Sequence, residues 1–248
     1  MRQVHLFLLS LSFLTRLAPA RTADNADMSA ACLYYPLVGA MLGLLLTAPF
    51  YFGFLAGHFW IQAWCYLCLS AWLTRALHLD GVADIFDALG SGKKGHLFQE
   101  ILKDSRLGAF GATGLFFVMS GQLLCTAGLL ESSRLAPLVF APVFGRSLPI
   151  ILACIAPPSP QASLGKLLSS APKSMCLGLA AICIVFGGLF CLGGIRNFLA
   201  CGAAGAAVII SLAHIARTNG GYNGDYFGAA IVMGELSVLL VSAASITP

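Results

Sequence analysis

The stretch Met175-Cys-Leu-Gly-Leu-Ala-Ala-Ile-Cys-Ile-Val-Phe-Gly-Gly-Leu-Phe-Cys-Leu-Gly193 is 19 residues long and contains no charged side chain. At about 1.5 Å of rise per residue, an α-helix of this length reaches roughly 28 Å, close to the thickness of the hydrocarbon core of a bilayer. The stretch therefore predicts a transmembrane helix.

Composition extends this interpretation to the whole chain. Hydrophobic residues make up 58% and charged residues 10% of the 248 residues, against about 25% charged in soluble domains. Backbone groups in lipid must satisfy their own hydrogen bonds, and the apolar stretches are longer than barrel strands, which favours helices. We expect an all-α, polytopic membrane protein with about seven transmembrane helices. The predicted spans are approximately Ala31 to Leu55, Phe59 to Leu79, Ala109 to Leu130, Ala136 to Ala156, Met175 to Gly193, Phe198 to Ala216 and Phe227 to Ile246.

The N-terminal segment imitates a secretory signal peptide, with Arg2, an apolar run over residues 4–14 and small residues at 18–20. Arg16 and Pro19 interrupt the supposed cleavage region, which argues against cleavage. We expect a short interfacial or re-entrant helix in its place. Because no hydrophilic stretch is long enough for a separate soluble domain, residues 1–248 are predicted to form a single integral-membrane domain.

The Lys and Arg residues predict the orientation of the chain. If residues 80–108 are cytoplasmic, alternating spans place eleven of them inside and two, Arg134 and Arg196, outside. This asymmetry predicts a multi-pass membrane protein with its polar segments at the cytoplasmic face. It also accounts for the net charge of +4 without nucleic acid, for which no basic motif is present.

Three aspartates, Asp80, Asp84 and Asp87, follow the second predicted span in a chain that has ten acidic residues. Positions i, i+4 and i+7 lie on one stripe of a helix. At roughly 7 Å and an effective dielectric constant of about 20, each pair of carboxylates would cost on the order of 2 kcal/mol. A bound divalent cation or a shared proton would relieve this repulsion, and the cation is the simpler hypothesis.

Two further polar segments are predicted on the same side of the membrane, because four spans separate them. The first is Lys103-Asp-Ser-Arg-Leu-Gly-Ala-Phe-Gly111, and the second is Arg217-Thr-Asn-Gly-Gly-Tyr-Asn-Gly-Asp-Tyr-Phe-Gly-Ala229. Cationic side chains beside glycines at a helix start are typical of phosphate sites. The alternative is local structure, with Asp104 or Ser105 capping one helix and Asp225 capping another. Together with the aspartates, the segments favour a site for a diphosphate and a metal.

Two charged residues are predicted inside the membrane. Arg146 lies near the middle of the fourth predicted span and Glu235 near the middle of the last. Charges at this depth are expensive and are usually paired or face a polar cavity. We therefore expect the two side chains to be close together or to share one cavity.

These segments resemble the cobalamin synthases, also called adenosylcobinamide-GDP ribazoletransferases. The resemblance covers nearly the whole chain and rests on Phe13-Leu-Thr-Arg16, Pro36-Leu-Val-Gly39, Ala76-Leu-His-Leu-Asp-Gly-Val-Ala-Asp84, Lys103-Asp-Ser-Arg-Leu-Gly-Ala-Phe-Gly111 and Gly220-Gly-Tyr-Asn-Gly-Asp-Tyr-Phe-Gly-Ala229. One departure is Asn223, where the family more often has Thr, which puts a direct role of a hydroxyl at this position in doubt.

The resemblance implies an enzyme that joins adenosylcobinamide-GDP to α-ribazole or its 5′-phosphate and releases GMP, with Mg²⁺ as cofactor. It implies metal ligands at Asp80, Asp84 and Asp87, which together with Asp104 form the predicted catalytic group. One of the carboxylates, at Asp84 or Asp87, would orient or deprotonate the attacking hydroxyl. The predicted substrate-binding residues are Arg16, Lys103, Ser105, Arg106, Arg146, Asn219, Gly220, Gly221, Asn223, Asp225 and Glu235.

Other classes of protein share part of this pattern. Intramembrane prenyltransferases also bind Mg²⁺-diphosphate but usually need a second aspartate-rich motif. CDP-alcohol phosphotransferases have a related signature, whose full spacing is missing here. A secondary transporter would explain intramembrane charges, but no inverted repeat is evident. Membrane lipid is a further expected partner. The sequence is also compatible with a homo-oligomer.

Overall fold

The computed structural model describes residues 1–160 and 171–246. Within these ranges the chain is helical, and a single isolated bridge, between Pro158 and Tyr222, is its only β-type pairing. The helices are α1 (Arg2–Leu14), α2 (Asn25–Ala31), a 3₁₀ turn (Cys32–Tyr34), α3 (Tyr35–Tyr51), α4 (Phe59–Leu73), α5 (Leu77–Gly90), α6 (His96–Ile101), α7 (Ala109–Glu131), α8 (Ala136–Ile155), α9 (Lys173–Cys191), α10 (Ile195–Thr218) and α11 (Gly224–Ala244).

Six helical stretches among the described residues are long and apolar enough to cross a membrane. They are Asn25–Tyr51, which joins α2, the 3₁₀ turn and α3, and the single helices α7, α8, α9, α10 and α11. This result confirms a polytopic, all-α membrane protein. The shorter helices α1 and α4 are also apolar.

The second predicted span, Phe59 to Leu79, is wrong in its boundary. The structure ends α4 at Leu73 and starts α5 at Leu77, and the intervening Arg75 and Ala76 have φ angles of +59° and +54°. Neither Gly nor Pro lies at this break, so the local sequence did not predict the end of α4. The guanidinium of Arg75 donates to the carbonyl oxygens of Ser12 and Phe13 at 2.9 Å each, which satisfies the C-terminal end of α1. The break is therefore stabilised by a tertiary contact.

The N-terminal helix α1 spans 13 residues and packs on the start of the α2–α3 stretch. It is too short to cross the hydrocarbon core. Its length agrees with the expected interfacial or re-entrant helix.

The centre of the bundle is α8, in which 78% of the residues of its apolar 18-residue window are buried within the described chain, against 17% for the corresponding window of α9. Helix α3 approaches α8 so closely that a Cβ on Gly39 or Gly43 would collide with the α8 backbone at Pro142 and Val139. The absence of a side chain at the two glycines permits this approach. The central helices therefore pack backbone against backbone, whereas the described chain leaves most of α9 uncovered. The run Pro157-Pro158-Ser159-Pro160 predicts the end of this helix and a loop to Lys173 that covers the site. Helix α8 ends at Ile155, two residues before Pro157, and residues 161–170 of the predicted loop lie outside the described residues.

Candidate functional site

Helix α5 carries the three aspartates and packs its apolar side into the bundle. Val82, Ile85 and Ala88 are buried, while Asp80 is exposed and Asp84 and Asp87 are partly buried. The apolar residues and the aspartates alternate with helical spacing, so the helix holds the carboxylates at the surface of the bundle.

Asp87 is engaged by the backbone at the start of α7. Its two carboxylate oxygens accept hydrogen bonds from the amides of Gly108 at 2.8 Å and Gly111 at 2.7 Å. A carboxylate at a helix N-terminus is stabilised by the unpaired amides and by the helix dipole. Asp87 thus supplies from α5 the cap that the sequence suggested for Asp104 or Ser105.

Asp104 pairs instead with Arg106 in the turn before α7. The Nη2 of Arg106 lies 2.6 Å from one oxygen of Asp104, and its Nε lies within 3.1 Å of both. Hydrogen bonds from the Arg106 side chain and backbone lower the pKa of Asp104 to about 2. Lys103, Ser105 and the Arg106 side chain are exposed, so this segment offers cationic groups to solvent.

The glycine-rich turn after α10 is held by the segment around α6. The buried Asn219 accepts a hydrogen bond from the amide of Gly95 at 2.9 Å. The Nε2 of Gln99 donates to the carbonyl oxygens of Asn219 at 2.7 Å and Gly221 at 3.1 Å. Sequence reasoning missed Gln99, because one polar residue on a short helix carries no motif. Asn219, which was predicted to bind substrate, forms hydrogen bonds within the fold.

The same turn is held on its other side by the proline-rich segment that follows α8. The amide of Ser159 donates to the carbonyl of Tyr222 at 2.8 Å, and the amide of Tyr222 donates to Pro157 at 3.0 Å. Gly221 has a φ angle of +100°, and a Cβ there would lie 2.5 Å from the nitrogen of Ser159. This conformation and this approach require glycine. Gly220 also has positive φ and is exposed.

Asn223 caps helix α11 and orients the next acidic residue. Its Oδ1 accepts the amide of Asp225 at 3.1 Å, and its Nδ2 donates to Asp225 Oδ2 at 2.6 Å. The suggested capping role of Asp225 is therefore filled by Asn223. A Thr hydroxyl at this position can accept the same amide, which gives the departure from the family pattern a physical reason.

Helices α5 and α11 cross where the acidic residues lie. A Cβ on Gly81 would lie 2.5 Å from the backbone oxygen of Asp225, so the crossing tolerates no side chain. Burial, followed by the charges of Asp225, Asp80 and Asp87, raises the pKa of Asp84 to about 7. The three polar segments therefore meet at one end of the bundle. There, the charges of Asp80, Asp87 and Asp225 act on Asp84.

The donor set fits Mg²⁺ better than a metal that needs a complete protein cage. No three His, Cys, Asp or Glu side chains form a metal-binding group among residues 1–160 and 171–246. Mg²⁺ is commonly held by one or two carboxylates together with substrate phosphates and water. Asp80 and Asp225 provide hard oxygen donors of this kind, and Asp84 lies close enough for their charges to raise its pKa.

Two openings adjoin these carboxylates. A wide polar cleft of about 420 Å³ is lined by Asp84, Asp87, Asp104 and Arg106. A smaller cavity of about 180 Å³, mainly apolar, includes Asp80 and Asp225 in its lining. The aspartates of α5 are thus divided between the two openings, which their shared helical stripe did not predict.

Arg16 follows α1 and lies outside the linings of both openings. Its backbone amide donates to the carbonyl of Leu73 at 2.8 Å, and its guanidinium carbon lies 5.6 Å from the centre of the Trp72 ring. These contacts attach the exposed side chain to the end of α4.

Arg146 and Glu235 form the predicted pair. Arg146 Nη1 lies 2.7 Å from Glu235 Oε1, with the Arg146 side chain completely buried and the Glu235 side chain 14% exposed. Both residues line a narrow cavity of about 40 Å³ that also includes His78. The expectation that the two charges share one cavity is confirmed. The pair lies on α8 and α11, whose backbones meet at Gly145 and Gly234.

Comparison with known proteins agrees with the sequence motifs. The sequence profile of cobalamin-5-phosphate synthase matches residues 6–243, which include every residue of the site described above. The chain belongs to the cobalamin-5-phosphate synthase family. Membership makes it a transferase of cobalamin biosynthesis.

Individual members of the cobalamin-5-phosphate synthase family align over almost the full chain. Adenosylcobinamide-GDP ribazoletransferase of Nitratidesulfovibrio vulgaris (strain DSM 19637 / Miyazaki F) is 45% identical, with 94% of this chain and 92% of the relative covered. The protein of the same name from Leptothrix cholodnii is 32% identical over 96% and 94% of the two chains. That of Citrobacter koseri is 31% identical over 95% and 98%. No solved structure matches the chain.

Proposed function

We propose that the chain catalyses the reaction named by its relatives, the transfer of adenosylcobinamide phosphate from adenosylcobinamide-GDP to α-ribazole or its 5′-phosphate. The observation that carries this proposal is the crossing of α5 and α11, which gathers Asp80, Asp84 and Asp225, with Asp84 lining the cleft that contains Arg106. Gathered carboxylates next to an exposed cation suit a metal-diphosphate substrate.

The reaction balances as a phosphoryl transfer. A ribazole hydroxyl oxygen forms a bond to the phosphorus attached to the cobinamide arm, and the bond from this phosphorus to the bridging oxygen breaks. GMP leaves with the bridging oxygen, and the hydroxyl proton passes to a base. Asp84 lines the polar cleft and is the carboxylate placed to accept that proton, and its partial burial favours the protonated form.

The other residues bind and orient. Asp80 and Asp225 would hold Mg²⁺, which when bound supplies positive charge against the diphosphate and the leaving GMP. Arg106, with Lys103 three residues earlier in the sequence, would contact phosphate oxygens from the polar cleft. Asp87 holds the start of α7, and Asn223 holds Asp225, so both position the reacting groups.

The proposal is tested with the purified full chain in lipid nanodiscs. Adenosylcobinamide-GDP, α-ribazole and Mg²⁺ should give GMP and the joined product in equal amounts, and omission of α-ribazole should abolish GMP release. Asp84→Asn should retain little activity. Failure of the wild-type chain to release GMP under these conditions would refute the function, and full activity of Asp84→Asn would refute the role of Asp84.

We further propose that the site faces the cytoplasm from the inner membrane. The distribution of Lys and Arg supports this orientation, with Arg134 and Arg196 at the end of the bundle opposite the site. A reporter that is active only in the cytoplasm should function when fused into the turn after α5 and should fail when fused after Arg134. The reverse pattern would invert the orientation.

A further inference from the structure

The smaller of the two openings lies between α1, the start of α5 and the first turns of α11. Phe13 and Leu14 of α1, Tyr35 of α3, and Phe227 and Ile231 of α11 form its walls. The rings of Phe13 and Tyr35 are nearly parallel, with an angle of 11° and a centroid separation of 6.3 Å. Aromatic and aliphatic walls of this kind favour a flat apolar ligand.

The polar groups of this cavity are few. Asp80 and Asp225 contribute to its lining and belong to the proposed reaction centre. His78 also lines it, is only 6% exposed, and its Nε2 has no hydrogen-bond partner in the described chain. A buried polar atom without a partner is destabilising, so this nitrogen favours a ligand that brings a polar group to it. His78 borders the Arg146 cavity as well.

Size restricts the ligand further. The cavity volume is about 180 Å³. An apolar protein cavity of about 150 Å³ accepts benzene, so the space here suits one substituted or bicyclic aromatic ring. A corrin macrocycle is several times larger. Guanine carries donors and acceptors around most of its edge, and the apolar walls of this cavity would leave most of them unpaired, which disfavours guanine here.

We propose that this cavity binds the planar base of the ribazole acceptor, an inference that rests on the proposed function. The benzimidazole ring lies among Phe13, Tyr35 and Phe227, and its single free ring nitrogen or a ribose hydroxyl meets His78. The ribose faces Asp80 and Asp225, where the attacking hydroxyl reaches the diphosphate. The polar cleft on the other side of Asp84 receives the nucleotide diphosphate. The acceptor and the donor substrate therefore enter through different openings.

Kinetics with one substrate varied at a time test this assignment. Ile231→Phe adds volume inside the cavity, and Met233→Phe, two residues further along α11 at a different cavity, is the matched control. Ile231→Phe should raise KM for α-ribazole about tenfold or more, equivalent to about 1.4 kcal/mol or more, with KM for adenosylcobinamide-GDP unchanged. Met233→Phe should alter neither KM. A rise confined to adenosylcobinamide-GDP, or no selective effect of Ile231→Phe, would overturn the proposal.

A second variant does not depend on loss of function. Ile231→Ala enlarges the cavity and should raise kcat/KM for a naphthimidazole riboside relative to α-ribazole. An unchanged ratio contradicts the assignment.

Equilibrium binding separates the cavity from the reaction. Radiolabelled α-ribazole should bind the wild-type chain in nanodiscs and bind Ile231→Phe about tenfold more weakly. If the wild type binds α-ribazole in this way but releases no GMP from adenosylcobinamide-GDP, the proposed reaction fails and the cavity assignment survives. If GMP release is normal but binding and KM are insensitive to Ile231→Phe, the cavity assignment fails and the reaction survives.

Discussion

Arg146 and Glu235 form an ion pair inside the helical bundle, with 2.7 Å between Nη1 and Oε1. The Nε and Nη2 atoms of Arg146 have no hydrogen-bond partner within the described chain, and Nη1 donates to Glu235 and to the carbonyl oxygen of Pro142. Among the described residues, Glu235 is therefore the one carboxylate that compensates the buried guanidinium. Since arginine does not give up its proton in proteins, removal of Glu235 leaves a buried charge.

The pair predicts an asymmetric response to substitution. Glu235→Met should destabilise the chain by about 3–5 kcal/mol, because an uncompensated charge stays in the core. Replacement of both residues by Met should recover much of this loss. Thermal unfolding in one detergent measures both effects, and a double variant as unstable as Glu235→Met would show that the pair's charge is not the cause.

Asp87 and Asp80 are expected to respond differently to removal of charge. Asp87→Asn places an NH₂ group against an amide donor and should cost about 1–3 kcal/mol of stability, with the Mg²⁺ requirement of the reaction unchanged. Asp80→Asn should leave stability nearly intact and raise the Mg²⁺ concentration for half-maximal activity about tenfold or more. Activity titrated with Mg²⁺ makes the comparison. Equal shifts in the two variants would make Asp87 a metal ligand.

The raised pKa of Asp84 predicts how the stability of the chain depends on pH. Its pKa rises from 3.8 to about 7 on folding, so the folded chain holds a proton that the unfolded chain releases between these values. Stability therefore falls as pH rises through this window, and the penalty is fully present above pH 7. In EDTA, Asp84→Asn should unfold at a higher temperature than the wild type at alkaline pH, and the difference should vanish in acid. A difference that grows in acid would contradict the raised pKa.

Asn223 predicts which substitutions the glycine-rich turn accepts. Asn223→Thr keeps an oxygen for the Asp225 amide and should retain most activity, whereas Asn223→Ala should cost about 1 kcal/mol and lower kcat. Parallel measurements of unfolding and GMP release test the pair of variants. Equal loss in both would show that the amide group itself is required.

Gln99 is expected to position the glycine-rich turn without contacting the substrate. Gln99→Glu removes both hydrogen bonds to the turn, which should loosen it, accelerate hydrogen exchange at the amides of residues 219–225 and lower kcat. Glu100→Gln, at a neighbouring exposed position, is the control and should change neither. Unchanged exchange in Gln99→Glu would remove this role.

Long-range features of the site were predictable where the sequence carries a physical constraint. Apolar length predicted most of the helices, and the parity of the spans predicted that the glycine-rich turn lies on the same side of the membrane as residues 103–111. The cost of isolated charge in lipid predicted the meeting of Arg146 and Glu235. Each of these features follows from the requirements of a chain in a lipid bilayer.

Other features depend on contacts that no local pattern encodes. The break at Arg75 and Ala76 contains no glycine or proline and depends on α1. The three aspartates have the same sequence signature, yet only Asp87 receives the amides of α7. Their division of roles arises from which neighbour packs against each turn of α5.

The backbone contact of Gly81 with Asp225 also bears on how such a site can evolve. Because two main chains meet there, the spacing of the acidic groups is insensitive to changes in the surrounding side chains. Wall residues such as Ile231 can then vary independently. A lineage could exchange one acceptor base for another by small steps, each compatible with turnover, while the phosphate chemistry is inherited intact.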